Sequence, residues 1–412
     1  MSTIIKFEEF LGLPSFFCYN IGIKLRGPSN GFWLKFWMYL TSFNLFLAVS
    51  AECYYIIVTI RTDFTEAIMT LSYVSFIVVA FVKWYYLYNY QTERNAFFQR
   101  LEVLFPHTKS EQESIKLSKY FRSNKLATRG YTISIMVLIW VYNLYTISQS
   151  FIYTKLMHVD IERVLPYQAK YPWDWHDNWT YYLIYVTQGI ASFHSTCTQL
   201  GYDVLLCILS IHLIMHYDNI SRSLEGYQTK FAEVHGVDSS NGLPRLAYAA
   251  VELRAVKEDI KFISNIVSYH NELLSLSMSL NKLFGVPLFV NFFTSSAIIC
   301  FLSFQMSVTR EIDLLMKVAV FLFFSVMQVY LISHFGQLLS DASTNVASAA
   351  YFQDWSYADV RFQKMTILVA ARAQEPAALK ATNLITISLD TMTVIIQMSY
   401  KFFTVLRTMY DD

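Results

Sequence analysis

Apolar residues in this chain fall into long, nearly unbroken runs. Seven of them have spanning length, at 36–60, 67–90, 131–153, 181–214, 283–308, 314–335 and 384–406. A helix rises 1.5 Å per residue, so about 20 apolar residues cross the hydrocarbon core of a bilayer. Each run therefore predicts a transmembrane helix, with ends good to about four residues. A shorter apolar run at 365–371 cannot span and stops before Pro376.

The last run breaks the pattern. It reads LITISLDTMTVIIQMSYKFFTVL and carries, with its continuation, Asp390, Thr393, Gln397, Lys401, Thr404 and Thr408 at spacings of 3, 4, 4, 3 and 4. That periodicity draws one polar stripe along one helical face. Polar groups in lipid normally point into a bundle or a wet cavity. Two readings follow: a pore wall built from several copies of this helix around a shared axis, or interhelical hydrogen bonding within one bundle.

Between the spans the period changes to that of surface helices. Leu253, Val256, Ile260, Ile263, Val267 and Leu274 recur at 3-4-3-4-7, the seam of a packed helix. No Pro or Gly interrupts the stretch from Leu246 toward Gly285, so the fifth span is expected to run well beyond the membrane. The 91–127 segment mixes charge with Phe97, Phe98, Leu101, Leu104 and Phe105, and 345–372 is a further helical candidate. These predict a helical anchor, either between protomers or within one chain.

Composition fits the pattern: 54% hydrophobic, 17% aromatic and only 15% charged, against about 25% charged in soluble domains. Net charge is +1 and no basic, aromatic-interleaved patch occurs, which argues against a nucleic-acid partner. The five cysteines are too scattered for a disulfide framework. The fold class is thus all-α, a polytopic membrane protein with seven transmembrane helices.

Basic residues set the expected orientation. The segment through Lys35 holds four, 91–129 eight, 216–282 seven and 341–381 four; the opposite loops and tail hold seven in all. This asymmetry places the N-terminus in the cytosol and the C-terminus outside. The sequon Asn178-Trp179-Thr180 then lies outside, where glycosylation occurs, while Asn219-Ile220-Ser221 lies inside. The opening MSTIIKFEEFLGLPSFF reads as an amphipathic lead-in near the membrane surface rather than a signal peptide, because Glu8 and Glu9 interrupt it. The organisation expected is a lead-in at 1–35, six helices with their cytosolic extensions at 36–340, an anchor region at 341–383 and a last helix with a short outer tail at 384–412.

Catalytic and metal chemistry finds no foothold. No P-loop, GxGxxG, GxSxG or HExxH occurs, so no enzyme activity and no cofactor is expected. His212 and His216 have two-ligand helical spacing but read more simply as interfacial polar residues. Charges within spans are few: Glu52, Lys83, Asp203, Asp390 and Lys401. Lys83 and Asp203 lie near span ends, where Lys83 can snorkel outward, and are expected to be without special role. The outer halves of spans two, three, four and six place Met69, Tyr73, Phe76, Trp140, Tyr142, Tyr145, Ser148, Thr187, Ser192, Phe321, Phe324 and Gln328 at similar depth. Aromatic walls with few hydroxyls suit a small, volatile, mostly apolar ligand, although such residues also pack ordinary bundles.

The C-terminal third resembles the insect odorant receptor family. Arg372-Ala373-Gln374-Glu375-Pro376 is similar to its RAQxP element, followed by Ile387-Ser388-Leu389 and by Ser399-Tyr400-Lys401-Phe402-Phe403. Leu165-Pro166 and Tyr171-Pro172-Trp173-Asp174-Trp175 resemble the family's second extracellular loop, and Asp354-Trp355 its cytosolic turn before the last helix. Glu375 stands where the family usually has a basic residue. The resemblance implies an odorant-gated, non-selective cation channel in the plasma membrane of olfactory neuron dendrites. It implies a variable subunit that assembles with the odorant co-receptor as a heterotetramer. It puts the gate hydrophobe at Val405 and the neighbouring polar position at Thr408, beside Lys401 and Thr404, with Lys401 ill-suited to a cation path. The alternatives are a metabotropic seven-helix receptor, opposed by the inverted topology and the missing DRY and NPxxY motifs, a gustatory-type channel, whose TYxxxxxQF close is absent, and a transporter, opposed by the lack of paired halves.

Overall fold

The computed structural model describes residues 4–27, 31–156, 163–176, 178–236, 245–382 and 385–411. Leu384, the expected start of the last span, lies outside them. In chain order the helices are α1 (Phe7–Asn20), α2 (Phe32–Thr59), α3 (Phe64–Asn89), α4 (Gln91–Leu104), α5 (Lys109–Ile115), α6 (Leu117–Leu156), α7 (Thr180–Glu225), α8 (Lys230–Gly236), α9 (Arg245–Val308), α10 (Ile312–Phe352) and α11 (Val360–Ala373). A two-stranded antiparallel pair, β1 (Lys380–Ala381) and β2 (Ile385–Thr386), leads to α12 (Leu389–Asp411).

Among the described residues six helices, α2, α3, α6, α7, α9 and α10, are long and apolar enough to cross a membrane. The seventh, α12, has the length but carries the polar stripe and so is less apolar throughout. α9 runs 64 residues, through Gly285 and Pro287, the long extension expected of the fifth span; α10, at 41, outruns its expected end. Their extra turns lie at the end of the bundle that also holds α4, α5, α8 and α11. The 345–372 candidate is two helices, because the chain turns at 353–359 and Asp359 caps α11 by accepting from the Arg361 amide.

α7 is the central helix. The whole of its most apolar stretch is buried, and it touches α1, α2, α3, α6, α9 and α10. α2 is a rim helix, with Phe36, Phe43, Phe46 and Leu47 exposed as lipid-facing residues would be. The opening helix α1 is amphipathic, as the lead-in reading expected, with Glu8, Glu9, Phe16 and Tyr19 exposed on its outer face. Phe7, Phe10, Leu11, Phe17 and Cys18 are buried, and α1 packs against α7, closely enough that a Cβ at Gly201 would sit 2.9 Å from Cys18 Sγ.

His212 and His216, read as interfacial polar residues, do not face a surface. Both are buried; the His212 ring lies 4.4 Å from the Phe10 ring and 5.3 Å from the Phe7 ring, and His216 Nδ1 is 2.6 Å from the Tyr269 hydroxyl. The docking of α1 covers a site that the sequence reading left open to the boundary.

The expected seam on α9 is divided. Ile263 and Leu274 are buried within this chain, Ile260 and Val267 are half-buried and Leu253 is exposed.

A clamp holds the strand pair in place. Asn281 donates to the Ala378 carbonyl at 3.0 Å and accepts from the Lys380 amide at 2.9 Å, while Ser343 Oγ accepts from the Ala377 amide. Gly336 on α10 lies so near that an added Cβ would stand 2.5 Å from the Ile387 carbonyl oxygen. The segment between α11 and α12 is thus tied to both α9 and α10.

Candidate ligand cavity and the exposed face of the last helix

Near the bundle end opposite α11, helices α2, α3, α6, α7 and α10 leave a cavity roofed by Tyr167 of the loop before α7. Its free space is about 60 Å³, several times the roughly 10–15 Å³ that one water needs by that measure. The cavity therefore suits a small molecule.

Aromatic rings supply most of the wall. Tyr73 meets Tyr142 and Tyr167 edge-on at 5.8 and 5.3 Å and stacks on Phe321 at 5.9 Å. Tyr142 and Tyr167 stack at 6.0 Å, and Phe76 meets Phe321 edge-on at 6.2 Å. These separations lie within the range of favourable aromatic pairs. Much of the polar wall is already bonded: Tyr142 donates to the Lys317 carbonyl, Gln188 to the Tyr167 carbonyl, and Ser192 to the Gly189 carbonyl. Glu52 differs. It is 3% exposed, lines the cavity, and has a carboxyl oxygen buried without a hydrogen-bond partner among the described residues.

Of the twelve residues placed here by depth, Tyr73, Phe76, Tyr142, Ser192 and Phe321 share this wall. The other seven stand elsewhere, Met69 buried in the core, Trp140 exposed and Gln328 bonded to Asp203 among them. Tyr145 lies under Lys317 Nζ, Ser148 is exposed, Thr187 is half-buried with its carbonyl bonded by Asn44, and Phe324 packs against Phe323. Sequence depth fixes height along a span but not which way the side chain turns. Glu52, Gln188, Tyr167, Ser195 and Thr196 were missed, and only Glu52, as a charge within a span, had left a signal.

Beneath the cavity lies a second polar centre that corrects the sequence reading. Lys83 does not snorkel and Asp203 is not at a boundary: both are fully buried, with Lys83 Nζ 2.6 Å from Asp203 Oδ1 and 2.5 Å from Gln199 Oε1. Tyr131 donates to Asp203 Oδ2 at 3.0 Å and Gln328 donates to it at 2.7 Å. The position of α7 at the centre of the bundle is the reason, since a charge on α7 at this height faces α3, α6 and α10 rather than an interface. Gln199 also donates to the carbonyl of Phe76 at 3.1 Å, so one side chain joins the cavity wall to the ion pair.

On α12, Ile395 and Ser399 are buried, and Ser399 Oγ donates to the Ser296 carbonyl of α9 at 3.0 Å. Asp390, Thr393, Gln397, Lys401, Thr404 and Thr408 are all exposed. At 100° per residue the stripe is centred opposite the Ile395–Ser399 face. Val405 is 56% exposed and flanks the stripe. The hydroxyls of Thr404 and Thr408 bond their own helix, to the carbonyls of Lys401 and Thr404. They keep acceptor oxygens turned outward. Asn178 is exposed just before α7.

Comparison with known proteins follows the same lines. A family model described as 7tm Odorant receptor matches residues 63–400. Odorant receptor 85c of Drosophila melanogaster is 34% identical over 409 residues, covering 98% of this chain and 99% of that protein. Odorant receptor 85b of the same organism is also 34% identical, covering 98% and 100%. Among solved structures, the insect olfactory receptor OR5 from Machilis hrabei in complex with eugenol superposes with a TM-score of 0.76 at 14% identity, covering 98% of both chains.

Proposed function

The chain belongs to the seven-transmembrane odorant receptor family, and from that premise we propose that it is the odorant-binding subunit of a ligand-gated, non-selective cation channel. A small volatile organic ligand enters the aromatic cavity, and α12 forms this subunit's share of the pore wall. Val405 supplies the hydrophobic constriction, and Thr404 and Thr408 the adjoining hydroxyls. The odorant co-receptor completes a heterotetramer in the plasma membrane of an olfactory dendrite, with N-termini in the cytosol and Asn178 outside, where it is open to glycosylation.

The observation that carries this reading is the direction of the polar stripe. A helix in hydrocarbon that turns six polar side chains away from its own bundle needs a polar surrounding on that side. Copies of α12 around a common axis provide one, and a hydrophobic ring among them gates by excluding water. Lys401 on the same face opposes cation flow, so its amine is expected to turn along the helix toward the membrane boundary. At the other end, Tyr351, Phe352, Ile367 and Leu368 are exposed apolar side chains on α10 and α11, the surface expected of an anchor between subunits.

The test is a whole-cell recording of currents evoked by a volatile panel from this chain expressed with and without the co-receptor. Currents that depend on both chains and carry Na⁺ and K⁺ alike support the proposal. Ligand responses that need no co-receptor and follow a G protein would replace it with a metabotropic one.

A further inference from the structure

Glu52 has no use in packing. It projects from the rim helix α2 into a cavity whose other walls are chiefly aromatic and aliphatic, and one carboxyl oxygen is left without a partner among the described residues. An unmatched buried polar group costs about 1–3 kcal/mol, and an isolated buried carboxylate far more. Groups retained at such a cost cluster where a ligand matches them.

We propose that Glu52 is the polar anchor of the odorant site and that the ligand is a small alcohol, an apolar body bearing one hydroxyl. The inference rests on the cavity being the odorant site. A neutral carboxyl presents one O–H donor and one carbonyl acceptor, and a hydroxyl can accept from the first or donate to the second. An ether or ketone can only accept, and an alkane matches neither. Ser192, Ser195 and Gln188, other polar groups on the wall, already bond the carbonyls of Gly189, Ser192 and Tyr167. Lys83 is held by Asp203 and Gln199 and does not line the cavity. The Tyr73, Tyr142 and Phe321 rings then pack the carbon chain, and the free space limits its length.

Four probes of seven heavy atoms separate the possibilities: 1-hexanol, methyl pentyl ether, n-heptane and hexylamine. Concentration–response curves are recorded from the full receptor with its co-receptor, for wild type, Glu52→Gln, Glu52→Leu and Phe321→Ala, with surface expression measured for each. Wild type is expected to prefer 1-hexanol to the ether by about fivefold to tenfold, the worth of one hydrogen bond. Glu52→Gln, which keeps a donor and an acceptor, should retain most of that preference. Glu52→Leu should erase it while leaving the response to heptane or the ether intact.

An unchanged alcohol-to-ether ratio in Glu52→Leu overturns the proposal, as does the lack of any response to 1-hexanol in wild type. Hexylamine acting more strongly than the alcohol, with loss in Glu52→Gln, also overturns it by showing that a cation is the ligand. Phe321→Ala tells this failure from that of the underlying reading: if it shifts none of the curves, the cavity is not the odorant site; if it shifts them while Glu52→Leu does not, only the anchor is wrong.

Discussion

Lys83 Nζ lies 2.6 Å from Asp203 Oδ1, both side chains wholly buried, on helices α3 and α7. The pair draws Tyr131, Gln199 and Gln328 around it, so three further side chains meet there from α6, α7 and α10. A buried pair of this kind adds little net stability over an apolar filling, but losing one partner strands the other at a cost of about 3–5 kcal/mol. Through Gln199 and the Phe76 carbonyl the pair also touches the cavity wall. This makes it the structural link between the proposed ligand cavity and the centre of the bundle.

The first prediction concerns that pair. Lys83→Met and Asp203→Asn should each sharply lower surface expression, and the double variant should recover much of it, because neither charge is then left alone. Equal loss in the double variant would mean the two charges act separately. Among double variants that reach the surface, a shifted odorant sensitivity would report the contact through Gln199.

The strand clamp gives a second prediction. Gly336→Ala places a Cβ against the Ile387 carbonyl at 2.5 Å, and backbone must move. A loss of about 1–3 kcal/mol is expected, seen as a lower melting temperature of the purified protein and weaker gating. Gly130→Ala, on α6 with nothing within 4 Å of the added carbon, is the control and should be neutral or stabilising by up to about 1 kcal/mol.

A pH effect is expected at the α4 end of the bundle. Arg26 is bonded to Glu102 and lies 3.2 Å from Glu8. Its hydrogen bond, and then its charge, hold the Glu102 carboxyl below the usual range, with His107 acting the same way. A lowered carboxyl contributes stability that is present above its unfolded pKa of about 4.3 and fades as pH falls through the folded value. The melting temperature of wild type should therefore fall more between about pH 5 and pH 3 than that of Glu102→Gln. The difference should be small, since a third of each side chain is exposed and solvent screens the pair. Parallel curves would contradict this.

Assembly gives the fourth. Ile367→Asp with Leu368→Asp should abolish co-purification with the co-receptor while leaving the single chain folded, because both side chains are exposed on α11. Charges at Ile260 and Ile263 would not discriminate, as Ile263 is buried within its own chain. Intact co-purification of the α11 variant would place the anchor elsewhere.

What the sequence made legible follows from how each feature is encoded. The six apolar spans announce themselves because lipid demands unbroken hydrophobicity over a fixed length. The stripe on α12 is equally plain, since Asp390 to Thr408 recur at the helical period within an otherwise apolar run of spanning length. Helix ends were legible in part: α9 runs from Arg245 to Val308, as the unbroken stretch from Leu246 and the fifth span together predict, whereas α10 passes Gly336 and continues to Phe352, beyond its expected end at Phe335. Lys83 and Asp203 were misread because their partnership spans 120 residues of sequence and depends on α7 being central. The cavity was half legible. Tyr73 and Phe321 were placed by depth, but Tyr145 and Ser148, at similar depth on α6, turn away from it.

The central claim is that α12 lines the conduction path with its polar face, and substituted-cysteine accessibility during ligand-evoked current tests it most directly. Four native cysteines are buried and Cys53 is half-buried, so the background is Cys53→Ser. In that background Gln397→Cys, Thr404→Cys and Thr408→Cys should each make the current sensitive to a charged, water-soluble thiol reagent, with faster block while ligand is present. Ile395→Cys and Leu406→Cys, on the opposite face, should stay insensitive. Block at the opposite face, or at none of the three stripe positions, would contradict the account and remove α12 from the pore.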